Sequence, residues 1–261
     1  MLPGESRTHG HRRWTGAIRG EYRVSDRRWG YFCPVWHTGQ AVKALVMASD
    51  VLGDGLLPTA KAGADFIVGN AVCEGEDAGL ILAYEDDPDC VNTSAILECL
   101  DGLFVLSDKT GIPRYRETAL RALDWVAEHA YMPGTGWFRD CYDPNNHCAV
   151  PARYGTEGRP LLDDAVFLKG FRLTCDARFR RIALETADRL LRDEDPPGNW
   201  IGYAPCSRAE GCIHPRHAYW WGRPMLALFQ ETQDSRYLDL FKRSVHWYAQ
   251  ALRRDGGLFR G

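Results

Sequence analysis

The chain has no run of about 18 consecutive apolar residues, so no membrane-spanning helix is expected. It has no excess of one charge: 32 Lys and Arg face 35 Asp and Glu, a formal −3 at pH 7. Such a balance gives no global attraction to nucleic acid or to an anionic bilayer. A CxxC pair, a Walker-type phosphate loop, a dinucleotide fingerprint, HExxH and GxSxG are all missing, so none of the chemistries those motifs carry is expected. The first 28 residues lack the apolar stretch of a signal peptide and read as a polar, mobile tail over 1–28, ahead of one domain over 29–261. What is present is globular: 261 residues, 45% hydrophobic and 26% charged, which excludes intrinsic disorder.

Nine cysteines make an odd count and lie scattered. The expectation is reduced, mostly buried thiols in a cytoplasmic protein. Cys206 and Cys212, with His214 and His217, do not have standard zinc spacing. A metal cluster and a local Cys206–Cys212 disulfide are the alternatives there. No metal and no cofactor are expected.

Internal repetition is the strongest signal. Thr110-Gly-Ile-Pro-Arg-Tyr115, Thr174-Cys-Asp-Ala-Arg-Phe179 and Thr232-Gln-Asp-Ser-Arg-Tyr237 align without gaps. Nine residues past each aromatic come Asp124, Asp188 and His246, and Gly-bounded turns follow, as at Gly136-Trp-Phe-Arg139 and Gly257-Leu-Phe-Arg260. The stretch from Gly55 to Val68 is a weaker fourth copy. Each unit reads as two helices. Asn92–Ser107 is apolar all round, as a buried helix must be, and Asn92 is placed to cap it. Pro113–Tyr131 is amphipathic, with Tyr115, Ala119, Leu123, Val126 and Ala130 on one face. Inner helices are predicted over His37–Leu52, Asn92–Ser107, Leu161–Leu173 and His217–Glu231. Outer helices are predicted over Pro58–Gly69, Pro113–Tyr131, Arg178–Arg192 and Arg236–Arg253. Little reads as strand.

The fold class is therefore all-α, an (α/α) toroid of helical hairpins. Thr232-Gln-Asp-Ser-Arg-Tyr237, Trp247-Tyr248, Asp255-Gly-Gly-Leu-Phe259 and Asp163-Asp164-Ala-Val-Phe167 resemble the six-hairpin (α/α) glycosidase superfamily. That group includes unsaturated glucuronyl hydrolases, polysaccharide lyases and sugar epimerases. The resemblance spans roughly residues 30 to 261. It implies a carbohydrate-active enzyme whose partner is an oligosaccharide, with no nucleic acid and no membrane. Six hairpins would be expected and four are visible. This reads as an incomplete or truncated ring, or as one completed by a homo-oligomer.

In an inner/outer ring, the loops leading into the inner helices meet at one mouth. Here those loops are long and decorated, whereas the opposite turns are tight, which places function at the decorated end. The candidate catalytic groups there are Asp163 and Asp164, Asp87 from the acidic run Asp86-Asp87-Pro-Asp89, and His37. One member of the Asp163–Asp164 pair would face the mouth while the other caps the helix. Trp36, Gln40, His217, Tyr219, Trp220, Trp221 and Arg223 are candidate substrate contacts. Aromatic faces stack on pyranose rings, carboxylates move protons, and guanidinium pairs with a sugar carboxylate. Of the three consecutive aromatics at 219–221, one should pack in the core while another faces a cavity. Glycoside hydrolysis by paired carboxylates is the first reading. A uronate-directed lyase or epimerase using His or Tyr with Arg is the second. A non-catalytic helical-repeat module that binds a glycan or protein is the third.

Overall fold

A computed structural model describes residues 14–85, 90–151 and 157–252. Among these residues the helices form four hairpins: α1 (Pro34–Leu52) with α2 (Leu57–Gly69), α3 (Thr93–Thr110) with α4 (Pro113–Trp125), α5 (Val166–Thr174) with α6 (Ala177–Asp193), and α7 (Met225–Thr232) with α8 (Ser235–Gln250). The chain forms two compact units. One holds the described residues of Met1–Ala130 and Arg139–Ala152, and the other those of Tyr131–Phe138 and Arg153–Gly261. Two hairpins fall in each.

The repeated motif is the joint within each hairpin. Thr110, Thr174 and Thr232 each return their hydroxyl to the carbonyl four residues back, closing the inner helix. The next residue turns left-handed: Gly111 at φ 69°, Cys175 at 60° and Gln233 at 61°. Its amide bonds the carbonyl of Ser107, Phe171 or Phe229. Asp176 and Asp234 then N-cap the outer helices by accepting from Arg178 and Arg236 amides, while the same arginines' guanidinium groups grip the carboxylates. In the first copy Ile112 and Pro113 stand in that place and no side-chain cap forms. Only glycine adopts the left-handed region without steric cost, about 1–2 kcal/mol for other residues. Cys175 and Gln233 are exposed or partly so, and pack little. Cys175→Gly and Gln233→Gly should each raise stability by roughly 1 kcal/mol, read as a higher urea midpoint at unchanged slope.

The same caps set an acid limit. Hydrogen bonds from Arg178 and Arg236 hold the Asp176 and Asp234 carboxyls below their usual pKa. A depressed folded pKa adds stability above the unfolded value of about 3.9, and that stability is lost as pH falls through the folded value. Asn at both positions keeps the caps and removes the titration, so D176N/D234N should show a shallower loss of melting temperature between mildly and strongly acidic buffer.

Neighbouring hairpins are tied by their outer helices. Asp65 of α2 accepts from Tyr115 Oη at 2.9 Å and from Arg114. Asp188 of α6 accepts from Tyr237 Oη at 3.0 Å, with Arg236 at 3.6 Å. Between the inner helices α1 and α3 the backbones almost touch. A Cβ on Gly39 would lie 2.3 Å from Cys99 Cα, and one on Gly102 would lie 2.2 Å from the Gly39 carbonyl oxygen. A buried Lys43–Asp101 pair at 2.8 Å crosses the same seam.

Strand content exceeds the expectation in small pieces. β1 (Glu21–Arg23) pairs with β2 (Arg28–Gly30), β3 (Val91–Asn92) with β6 (Cys141–Asp143), β6 with β7 (Cys148–Val150), and β4 (Tyr131–Met132) with β5 (Trp137–Phe138), all antiparallel. These segments are too short to show a two-residue alternation. The β1–β2 hairpin revises the tail expected over 1–28: from Trp14 the chain is anchored, with Ile18 N donating to Thr38 Oγ1 at 2.9 Å and Trp14 packed on Tyr31. Cysteine chemistry is also revised. Cys90 and Cys141 form a disulfide, and Cys73, Cys148 and Cys175 are exposed, whereas Cys206 and Cys212 are not bridged. The bridge joins positions 51 residues apart, Cys90 just ahead of β3 and Cys141 at the start of β6, where Asn92 is the register partner of Cys141. Among the described residues no helix is long and apolar enough to cross a membrane.

Candidate functional site

In the second unit the carboxylate pair sits at a break in regular helical geometry. A 3-10 turn, Asp163–Ala165, precedes α5. Asp164 and Ala165 are consecutive left-handed residues, at φ 50° and 51°. Two such non-glycine residues cost about 1–2 kcal/mol each and persist where the surroundings enforce them, commonly at functional sites. Both acids are buried, Asp163 to 2% and Asp164 to 5% exposure. The residues at the two cap positions, Leu162 and Ala165, provide no side-chain cap. Asp164 Oδ1 instead takes an ion pair from Arg223. Arg223 remains partly exposed and lies 5.0 Å over the Tyr219 ring. A buried carboxylate is thereby joined to a cation that reaches solvent along an aromatic face.

Tyr219, Trp220 and Trp221 lie in a π-helical turn, Ala218–Gly222, just before α7. Such turns re-aim side chains and recur at functional sites. Here they send the three aromatics apart. Tyr219 is exposed and meets Trp220 edge-on at 5.1 Å. Trp221 is buried against Trp200, Tyr203 and His217, stacking on the last at 4.0 Å. His217 is itself buried, with Nδ1 3.2 Å from the Trp200 carbonyl and Nε2 3.2 Å from that of Ala204. Burial first, then the charges of Arg216 and Arg159, push its pKa well below the usual imidazole value. His217 and Trp221 are both buried among the core residues of this unit. Cys206 Sγ lies 3.4 Å from His217 Nδ1 and accepts from the His214 amide, and no group of three metal-ligating side chains occurs among the described residues.

In the first unit Trp36, His37 and Gln40 open α1. His37 is half-buried, with its ring against Trp36 at 4.7 Å and Phe32 at 5.7 Å. The Gly20 backbone abuts it so closely that a Cβ there would come within 1.8 Å of Nδ1. Gln40 is pinned by its amide to the Glu98 carbonyl, which ties α1 to α3. Asp87 falls in 86–89, outside the described residues.

Two polar groupings in this unit were missed by sequence reasoning. Glu98 and Asp101 are buried on α3, three residues apart in an otherwise apolar helix, and that spacing was the available signal. The second grouping centres on buried Asp77. Its Oδ1 accepts from Tyr142 Oη at 2.5 Å and Trp125 Nε1 at 3.4 Å, and its Oδ2 lies 2.7 Å from His147 Nδ1. Burial, then Asp77, raises the Tyr142 pKa. No sequence spacing announces this set, because its members come from separate elements: Trp125 ends α4, Tyr142 lies in β6, and Asp77 and His147 lie in turns.

No family sequence profile matches the chain, and no curated protein matches it by sequence. Solved structures do match its fold. A GH76 α-mannanase of Bacteroides thetaiotaomicron superposes with a TM-score of 0.66 at 14% identity, covering 87% of this chain and 60% of the mannanase. A sugar epimerase from a ruminal bacterium gives 0.62 at 15% identity, covering 86% and 62%. A D-mannose isomerase gives 0.64 at 11% identity, covering 89% and 64%. The chain thus shares the (α/α) toroid fold of these structures, and it spans 60–64% of their length.

Proposed function

We propose that the chain is a carbohydrate-active enzyme, a glycoside hydrolase acting on oligosaccharides through Asp163 and Asp164. The observation that carries this reading is the buried acid pair held in a strained double left-handed turn, with Asp164 charge-paired to Arg223 over Tyr219. Strain of this kind persists where the surroundings enforce it, and it clusters at functional sites. Asp164 carries its charge against Arg223 and is assigned the carboxylate role. Asp163 is assigned the proton donor to the leaving oxygen, the division of labour that glycoside hydrolysis requires. Tyr219 and Trp220 offer sugar-stacking faces, and Arg223 is placed to read a uronate carboxylate. Asp87, His37, Trp36 and Gln40 of the first unit are proposed as further sugar-binding or catalytic residues, and the cytoplasm is the proposed location. The fold neighbours support sugar chemistry as a class, since they comprise a mannanase, an epimerase and an isomerase.

Those neighbours also favour a second reading, sugar epimerisation or isomerisation. There His37, His217 and Tyr219 are the candidate bases. A panel of α-mannooligosaccharides, unsaturated uronides, cellobiose and D-mannose, followed by chromatography and by absorbance of the uronide double bond, separates the two. Shorter products or decay of the double bond, lost in Asp164→Asn, support hydrolysis. Products of unchanged mass support the second reading. Binding without turnover of any sugar overturns both and leaves a glycan-binding module.

A further inference from the structure

We infer that the sheet β3–β6–β7 is a thiol–disulfide exchange site, at which the Cys148 thiol takes over Cys141 from Cys90. All three residues belong to the first unit. Exchange here is independent of whether the chain turns over a sugar.

Cys141 lies on the central strand, paired with Asn92 of β3 on one side and with Val150 of β7 on the other. Side chains alternate along a strand, so Cys141, Asp143, Cys148 and Val150 share one face of the sheet, and Tyr142 and Ala149 share the other. The packing agrees. Val150 lies against the buried Cys90–Cys141 pair, while Tyr142 bonds Asp77 on the opposite side. Cys90 stands two residues before Asn92, and Cys148 stands two residues before Val150. The two cysteines are therefore the same diagonal step from Cys141, one on each neighbouring strand. Diagonal neighbours in a sheet generally lie about 7–8 Å apart. At Cys90 and Cys141 that step is closed to a Cα separation of 5.5 Å and bridged. Cys148 is the first residue of β7 and follows the left-handed His147, at φ 50°, so the small shift that closes the second step falls at a strand end.

The bridged residues are buried, whereas Cys148 is exposed and carries a free thiol. A thiol from solution must enter the sheet face to attack the bridge, and Cys148 already stands beside it. Exchange proceeds by attack of a thiolate on a disulfide sulfur. Cys148 gives up its proton, and its sulfur bonds Cys141 Sγ. The Cys90–Cys141 bond breaks, and Cys90 leaves as a thiolate that takes up a proton. One S–S bond forms as one breaks, so no oxidant or reductant is consumed. Attack on Cys90 itself is disfavoured, because Cys90 and Cys148 lie two strands apart, about 10 Å. The covalent tie thereby moves from β3–β6 to β6–β7. That frees β3, which runs into α3 through the Asn92 cap. In a reducing compartment a disulfide is commonly transient or redox-sensing rather than permanent, and Cys148 supplies the means of exchange.

Wild type held at mildly alkaline pH without reductant, quenched in acid and digested there with pepsin, can be mapped by mass spectrometry. Peptides linked Cys90–Cys141 and Cys141–Cys148 should both be found, and the second should be lost in Cys148→Ser. Cys90→Ser, checked for folding by circular dichroism, removes the competing partner. Oxidised glutathione should then close Cys141–Cys148 within one chain, releasing two reduced glutathiones. A wild type that keeps only Cys90–Cys141, or that forms Cys90–Cys148 instead, overturns the exchange. A folded Cys90→Ser protein left with glutathione on Cys141 or Cys148 overturns the geometry behind it.

Discussion

Asp164→Asn should leave a folded protein whose turnover falls by about 10²–10⁴-fold, the usual contribution of a positioned proton-transfer or carboxylate group. The amide is isosteric with the carboxylate and can still accept from Arg223, so the left-handed turn at 164–165 is kept and the loss reports chemistry rather than collapse. The fall should appear in kcat, with KM changing little, because the group is assigned to the reacting bond. Arg223→Gln should behave differently. It removes the cation that joins buried Asp164 to the exposed Tyr219 face. A rise in KM for uronate-bearing sugars, absent for neutral ones, would mark it as the reader of a substrate carboxylate. Unchanged turnover in Asp164→Asn, with the thermal transition intact, would remove this residue from the catalytic assignment.

Gly39→Val should be among the most damaging substitutions in the molecule. A Cβ at this position meets Cys99 Cα at 2.3 Å, which is backbone-borne and cannot rotate away, so α1 and α3 must separate. Overpacking of a tight core costs about 1–3 kcal/mol on its own. Separation also strains the buried Lys43–Asp101 pair and the Gln40 bond to Glu98. Losing one partner of a buried ion pair costs about 3–5 kcal/mol. Against a typical net stability of about 5–15 kcal/mol, a loss of roughly 3 kcal/mol or more should appear as low soluble yield and a sharply lower urea midpoint. Gly55→Ala is the control: a Cβ there would meet no atom within 4 Å, so a change within about 0.5 kcal/mol is expected.

The hairpins were legible because each signal is local. The all-apolar stretch around Ile96–Leu106 and the amphipathic stretch after Pro113 give α3 and α4 within a few residues, although α4 yields to a π-helical turn, Val126–Ala130, before the predicted end at Tyr131. The recurring Thr-x-x-x-Arg-aromatic phrase proved to be a joint, with a Thr closing one helix and, in two copies, an Asp capping the next. Its chemistry is structural. The acid pair was legible as residue types before a helix, but its strain and its partner Arg223, 59 residues away, were not. The burial of His217 and Trp221 was not legible, because aromatic and imidazole groups serve both cores and sugar sites and no local spacing separates the two.

Sequence alone determined the helical period, the repeat and the residues at the joints, because backbone hydrogen bonding and amphipathic spacing act over three to nine neighbours. Tertiary structure decided which polar side chains share a neighbourhood: Cys90 with Cys141, Asp77 with His147, and Asp164 with Arg223. Those partnerships form across 50 or more residues, where no local energy term records them and only the packing of the hairpins and their loops brings the atoms within reach.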